Sequence, residues 1–434
     1  MKSNRLTALM DKLTDHTVFA DLLKPVEAAL NKIRLGHADG RVLPMREFIA
    51  LGVLRHLKGM HTLREQVQVL LHLDPRAPDR PPLARSTWSD ALSAVSRRTA
   101  MQTLVPRLVN DAQAVLADRL VDLPGLGQRP VRAIDGTYQK ESAHYRRRTT
   151  KEGGTDNAKG HALLSFYNLR LGIPEDAYVE TRSHHEQLLL RDYDRDASAL
   201  TRQRHTLWLV DRAFIDGRFW DQKKAQLGQT MITRMKSSLN YTVRQQRSVD
   251  TDNPVNRGII SDRQIQLDSA EHPWRLIHFV SRRGRAVEFL TNELELEPGV
   301  IAFLYSRRWE EEKCFDTWKN DFSQAKAWGK SRVAIDNQVL LAIATSILIA
   351  IHLHQIFDNK PPHDEKALRK QDKRQVAGYR DNDGTDRPDW TTPLYRFTTK
   401  LSRQVLRFFQ NCFDKIASPD LYQRQLRPMF EAYL

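Results

Sequence analysis

The feature that most limits what this chain can fold into is a succession of short, β-branched, apolar segments between residues 130 and 236, each closed by a turn-forming or charged cluster. PVRAIDGTYQK reads as a strand ending in Asp135, and KGHALLSFYNLRLG and PEDAYVETRS read as the next two, with Gly172, Ile173 and Pro174 supplying the turn. A helical piece, EQLLLRDYDRDASAL, follows. TLWLVDRAF is then a strand ending in Asp211, DGRFWDQKKAQL a helix, and QTMITRMK a closing strand. Three strands, a helix, a strand, a helix and a strand predict a mixed α/β sheet covered by helices.

The flanks read differently. Residues 1–125 are helical and basic: EFIALGVLRHLKGM and HTLREQVQVLLHL space their apolar residues by three and four, and DPRAPDRPPLARS is a Pro-rich loop. Ser86 or Thr87 is the expected cap of the next helix, with an interruption expected at Pro106. Arg97 and Arg98 there serve either DNA contact or helix packing. Residues 237–298 are polar with two strands, PWRLIHFVSR and RAVEFLTN, and read as a β insertion. PGVIAFLYSRRWEEEKCFDTWKNDF is a strong helix with Pro298 near its start. The chain stays helical to about Asp358, is charged and exposed over 359–390, and ends in a helix over Pro393–Ile416. This divides it into an all-α DNA-binding region (1–125), an α/β catalytic domain (126–335, with the insertion) and an all-α assembly region (336–434).

Composition narrows the partners. Lys plus Arg is 68 against 53 Asp plus Glu, a net charge of +15, which makes nucleic acid the first polyanion to consider. Cys314 and Cys412 are the only cysteines, too few for a disulfide framework or a thiolate zinc knuckle. The first sixteen residues carry acids and lack the apolar core of a signal peptide. The most apolar run, Val339–Leu353, is fifteen residues long, short of the roughly 20 a membrane span needs. It reads as a buried core helix, no membrane is expected, and the cytoplasm is the expected compartment.

Three acids stand out by position: Asp135 and Asp211 at strand ends and Glu312 on the long helix. An Asp at a strand end is by itself more often a cap or turn former. Two in one sheet can meet at one edge, and a helix carboxylate beside them completes an all-oxygen site suited to Mg2+ or Mn2+. At about 100° per residue, Tyr305, Arg308, Glu312 and Lys319 share a sector of roughly 60°. Such a row is either a lattice of solvated charges or a face presenting a metal ligand beside phosphate-binding groups. Asp316 lies near the same face, so geometry alone does not choose between it and Glu312.

Tyr305, Arg308, Glu312 and Lys319, separated by two, three and six residues, match the Y-R-E-K signature. With the DGT block at Asp135, VDRAF around Asp211 and TRMK from Thr233 to Lys236, the chain resembles the bacterial insertion-sequence DDE transposases that bear this signature, insertion-sequence family four. The resemblance covers about residues 130–330. It implies a ribonuclease-H-like catalytic domain in which Asp135, Asp211 and Glu312 hold two divalent cations. It also implies that Tyr305, Arg308 and Lys319 hold phosphates of the transposon end. Double-stranded DNA, both transposon ends and target, is the implied partner, and a homodimer the implied assembly on DNA. The expected location is the bacterial nucleoid.

The family is associated with a hairpin route in which a flipped base stacks on Trp. Trp309 is the motif-adjacent candidate and Trp274 the one in the insertion, with a core role the alternative for both. Arg234 and Lys236, two apart on a strand, are expected to share a face toward phosphate. His184 and His185 with Glu186 lack the HExxH spacing, so a turn or sheet-edge role outweighs zinc. The basic run Arg146–Arg148 is a loop near the first acid. Two rivals use the same residues: a metal-dependent nuclease without strand transfer, and a domesticated, non-catalytic DNA-binding protein.

Overall fold

The computed structural model describes residues 18–73, 83–140, 160–180, 185–196, 199–281, 284, 286–308, 314–315, 317–322, 324 and 326–356. Among the described residues five α-helices precede the sheet: α1 (Val18–Leu30), α2 (Met45–Leu57), α3 (Leu63–Leu73), α4 (Arg85–Leu92) and α5 (Val95–Val115). α3 opens with a capping box. Glu65 N–H donates to Thr62 Oγ1 (3.1 Å), and Glu65 Oε2 accepts from the backbone N–H groups of His61 (2.7 Å) and Thr62 (3.4 Å).

Two expectations for these helices are corrected. α4 starts from Ala84, which makes no side-chain cap bond, so Ser86 and Thr87 lie inside its first turn rather than capping it. α5 runs through Pro106 without a break. Pro106 and Gln102 are both exposed, so water can satisfy the carbonyl that loses its helical N–H partner.

The sheet region reads β1 (Val131–Lys140), β2 (Gly160–Asn168), β3 (Ile173–Glu180), α6 (Glu186–Arg195), α7 (Ala199–Arg202), β4 (Leu207–Val210), α8 (Gly217–Leu227) and β5 (Thr230–Arg234). β6 (Tyr241–Arg247), β7 (Ile259–Leu267), β8 (Trp274–Val280) and β9 (Ala286–Thr291) follow, then α9 (Pro298–Arg307) and α10 (Arg332–Ile356). All nine strands form one sheet in the order β3-β2-β1-β4-β5-β9-β8-β7-β6. β1 runs antiparallel to β2 and parallel to β4, β2 antiparallel to β3, and β4 parallel to β5. That order and these directions are those of a ribonuclease-H-like core. The insertion is an antiparallel meander docked on β5 through β9.

Alternation along β1 and β4 sorts the side chains between two cores. Val131, Ala133, Leu207 and Leu209 pack with Val300, Ile301, Leu304 and Tyr305 of α9. Ile134, Trp208 and Val210 face the other way, against Leu189, Leu190 and Tyr193 of α6 and Trp220 of α8. A third core joins α1–α5 to α10 and to β3 through Val179. α10 is long and apolar enough to cross a membrane, but 83% of that apolar stretch is buried inside the fold, where its predicted core role places it.

Arg97 and Arg98 belong to this packing. Arg97 is buried, donates to the Leu43 carbonyl and lies over the Phe48 ring at 4.7 Å; burial lowers its pKa to about 10. Arg98 pairs with Asp336 of α10 at 3.2 Å. Of the two roles open to these arginines, packing is the one observed.

Candidate active site

The ladder brings Asp135 and Asp211 side by side. The last β1–β4 pair is Ile134 with Val210, and one step further along both parallel strands stand the two aspartates. Asp211 keeps extended backbone (φ −77°, ψ 167°), so the register carries through it, and its carboxylate makes no cap bond to the turn it precedes. The cap-former alternative therefore fails for Asp211. Asp216 caps α8 instead, accepting from Phe219 N–H at 3.2 Å.

The row extends on both sides. Ser165 pairs directly with Asp135 across β1–β2. Two steps beyond the Leu209–Ile232 pair, Arg234 of β5 falls beside Asp211, and Arg234 pairs in turn with Phe289 of β9. By alternation all of these side chains leave the sheet on the face that α9 covers. α9 then supplies the cations and the ring. Arg308, the residue that caps its C-terminus, sets Nη1 3.6 Å from Asp135 Oδ2 and its guanidinium 5.9 Å from the centre of the Tyr305 ring. Tyr305 packs on Phe289 at 5.3 Å, with the Arg234 guanidinium 6.0 Å from its ring centre. The Ser165 and Tyr305 hydroxyls are both buried and make no hydrogen bond among the described residues.

Of the residues expected at the site, Asp135, Asp211, Tyr305, Arg308 and Arg234 are brought together. Glu312, Trp309 and the alternative Asp316 lie outside the described residues, as do Arg146–Arg148 and His184. Three expectations change. The α-helix is not one straight rod through the motif: α9 ends at Arg307, and Lys319 sits in a π-helical turn, Thr317–Asp321. Its wider i→i+5 bonding, as in Phe322 N–H to the Thr317 carbonyl (3.0 Å), breaks the 100° count behind the row. Lys319 there lies 5.7 Å from the Phe315 ring centre. Lys236 falls past the end of β5 and is exposed, so the strand geometry that pairs it with Arg234 stops short of it. Trp274 is fully buried and donates its Nε1–H to Asp221 (2.9 Å), which removes it as a base-stacking platform.

The segment after Lys319 is anchored by buried amides. Gln139 at the end of β1 donates to the Gln324 carbonyl (2.9 Å), and Gln338 of α10 donates to Gln324 Oε1 (2.7 Å). His56 of α2 lies within 3.2 Å of the Phe322 carbonyl and stacks on Phe322 and Trp328; burial lowers its pKa to about 3.

Sequence reasoning missed the place of Glu186. It opens α6, which packs on the other face of the sheet, and its carboxyl lies against Gly136, the residue after Asp135. A Cβ on Gly136 would lie 2.6 Å from Glu186 Cδ, so only glycine leaves room for it. Burial chiefly raises the Glu186 pKa, the charges of Asp135 and Asp211 raise it further, and Arg308 opposes them. An acid in the first turn after the third strand was the available signal.

The donors of the pair are carboxylate oxygens, the kind a hard divalent cation takes. Among the described residues no three acid, His or Cys side chains converge on one point; a guanidinium is the cation beside Asp135.

Two aspartates side by side where the parallel β1–β4 ladder ends, in a 3-2-1-4-5 sheet, are the arrangement of a ribonuclease-H-like core. The Transposase DDE domain matches residues 126–348, about half of the chain, and the chain belongs to that family. No curated protein matches it. Among solved structures it is similar to a piggyBac transposase in a synaptic complex with hairpin DNA. That likeness has 10% identity and a TM-score of 0.42, over 100% of this chain and 86% of that one.

Proposed function

We propose that this chain is a DNA transposase that binds the inverted terminal repeats of its own insertion sequence, cuts the ends by phosphodiester hydrolysis and joins the freed 3′-hydroxyl to target DNA. The observation that carries the reading is the row Asp135–Asp211–Arg234 with Arg308 and Tyr305 laid over it. Asp135, Asp211 and Glu312 would hold two divalent cations, Mg2+ or Mn2+, which supply activation of the attacking hydroxyl and charge relief at the leaving oxygen. Arg234 and Arg308 stand where a phosphate approaching the acids would meet them, and a guanidinium offers it a two-pronged contact. The Tyr305 hydroxyl adds a donor with no competing partner among the described residues. Cutting both ends requires two catalytic centres, hence at least a homodimer on DNA. The nucleoid of a bacterial cytoplasm is where such a substrate is met.

The test incubates purified protein with labelled duplex carrying the element's ends and a supercoiled plasmid, in Mg2+, Mn2+ or chelator. Metal-dependent nicking at the end followed by a joined product supports the reading. Cleavage without joining would reduce the protein to a nuclease, and binding without cleavage to a DNA-binding protein.

A further inference from the structure

We infer that Gln324 is a positioning residue, which ties the π-helical turn carrying Lys319 to the end of β1 and so fixes where Lys319 can meet a DNA phosphate. The inference rests on the proposed transposase reading, in which Lys319 contacts the phosphates of the element's end.

Bonds on either side of Lys319 close the turn from within. Phe322 N–H reaches back to the Thr317 carbonyl, and Gln324 N–H to the Trp318 carbonyl at 2.8 Å. Trp318 is buried and donates its Nε1–H to Ser346 Oγ of α10 at 3.0 Å. The Lys319 ammonium makes no ion pair among the described residues and remains available to an anion. A lone π-helical turn is rare, so its surroundings have to hold it.

The Gln324 side chain supplies that hold. It is buried where three elements distant in sequence meet. Gln139 of β1 donates to its carbonyl and, at 3.1 Å, to its Oε1. Gln338 of α10 donates to the same Oε1 and to the Lys326 carbonyl (3.0 Å), while its own Oε1 accepts from Trp328 N–H (2.6 Å). On the third side Gln324 Nε2 lies 3.3 Å from the ring nitrogens of His56 in α2. Apolar packing alone would let the turn slide. Amides buried together do not, because a shift leaves a donor or an acceptor unpaired. Gln139 follows Asp135 by four residues and shares its face of the sheet, about 13 Å further along the strand. One hydrogen-bonded path therefore runs from Asp135 along β1 to Gln139, and through Gln324 to the turn of Lys319.

The experiment measures binding of the full-length protein to duplex carrying the element's own end, in chelator, over a series of salt concentrations. Each phosphate contact contributes about 0.9 to the slope of log affinity against log salt. Lys319→Ala should lower that slope by about one contact. Gln324→Leu should lower it equally although it keeps the lysine, and the double variant Gln324→Leu with Lys319→Ala should lower it no further. Gln139→Met removes only the β1 arm and should move the slope the same way; it decides alone if Gln324→Leu loses native circular dichroism. A network with a structural role alone would lower the melting temperature and leave the slope of the folded protein unchanged. A lowered slope in Lys319→Ala, with wild-type slopes in every glutamine variant that folds, overturns the inference and leaves the transposase reading intact. An unchanged slope in Lys319→Ala overturns the inference together with the placing of Lys319 at phosphate.

Discussion

Replacing Asp262 by Asn tests whether the insertion is built around a charge it cannot release. Arg275 is 2% exposed and forks onto Asp262, which is 1% exposed: Nε lies 2.8 and 2.9 Å from its two oxygens and Nη2 2.6 Å from Oδ2. Its remaining nitrogen, Nη1, donates to the Leu296 carbonyl (2.6 Å), two residues before α9 begins. Arg247 adds a second guanidinium 3.4 Å from Oδ2. A guanidinium keeps its charge inside a protein, so without the carboxylate that charge stays buried and uncompensated. A buried pair broken on one side costs about 3–5 kcal/mol. At about 2–4 °C per kcal/mol, melting should fall by roughly 6–20 °C. The double change Asp262→Leu with Arg275→Met removes both charges, which by itself is often neutral or stabilising by about 1–4 kcal/mol. It leaves the Leu296 carbonyl without its donor, at a cost of about 1–3 kcal/mol. The double variant should therefore lie within about 2 kcal/mol of wild type and be more stable than Asp262→Asn. Urea unfolding at pH 7, followed by circular dichroism, reads all three. A single variant within about 1 kcal/mol of wild type, or a double variant as unstable as the single, refutes the argument.

Three further outcomes follow from other sites. Asp211→Asn should abolish metal-dependent end cleavage while end binding, read by gel shift, stays within a few-fold; retained cleavage would remove Asp211 from the site. His56 titrates near pH 3 in the fold against 6.5 when exposed, so the unfolded chain takes up the proton first and stability is lost as pH falls from 6.5 toward 3. The loss should reach about 4–5 kcal/mol, and His56→Phe should flatten that slope in urea melts; an unchanged slope refutes it. Asp176 is the opposite case: burial chiefly raises it to about 6, so the folded state holds its proton longer and stability falls as pH rises from 3.8 to 6. That fall should be about 3 kcal/mol, and Asp176→Asn should be more stable than wild type at pH 7.5 but not near pH 3.8, where equal gains at both would discount the titration.

The order β1-β2-β3-α6-β4-α8-β5 was legible because each strand is buried on at least one face and so writes its apolar residues into the sequence, LWLV of β4 most plainly. β8 and β9 were legible for the same reason. β6 and β7 were not: YTVRQQR lies on an exposed sheet edge, and IISDRQIQL hides Asp262 among its buried positions, so neither shows an apolar alternation. The site was legible as far as local spacing governs it. Asp211 and Arg234 sit at strand ends, Asp135 where the β1–β4 ladder stops inside the longer β1, and Tyr305 and Arg308 on or directly after α9. Lys319 was misplaced because spacing counts assume one helical pitch, and a π-turn changes the pitch without a local warning. Glu186 went unread because its place depends on Gly136, fifty residues earlier, and on a ladder that only the folded sheet forms.

The surplus of 15 positive charges cannot be read wholesale as a DNA-facing surface. Arg55, Arg97, Arg132, Arg170 and Arg275 are buried, and their guanidinium groups are spent on backbone carbonyls or on Glu175, Asp118 and Asp262. Arg308 is buried as they are, but its acid is Asp135. Where Arg275 forks onto Asp262 at 2.6–2.9 Å, Arg308 meets Asp135 at 3.6 Å, beyond hydrogen-bond range. Coulomb attraction survives that gap while the directional part of a charge-assisted bond does not, so Arg308 holds Asp135 by charge and not by a fork of the kind Arg275 makes.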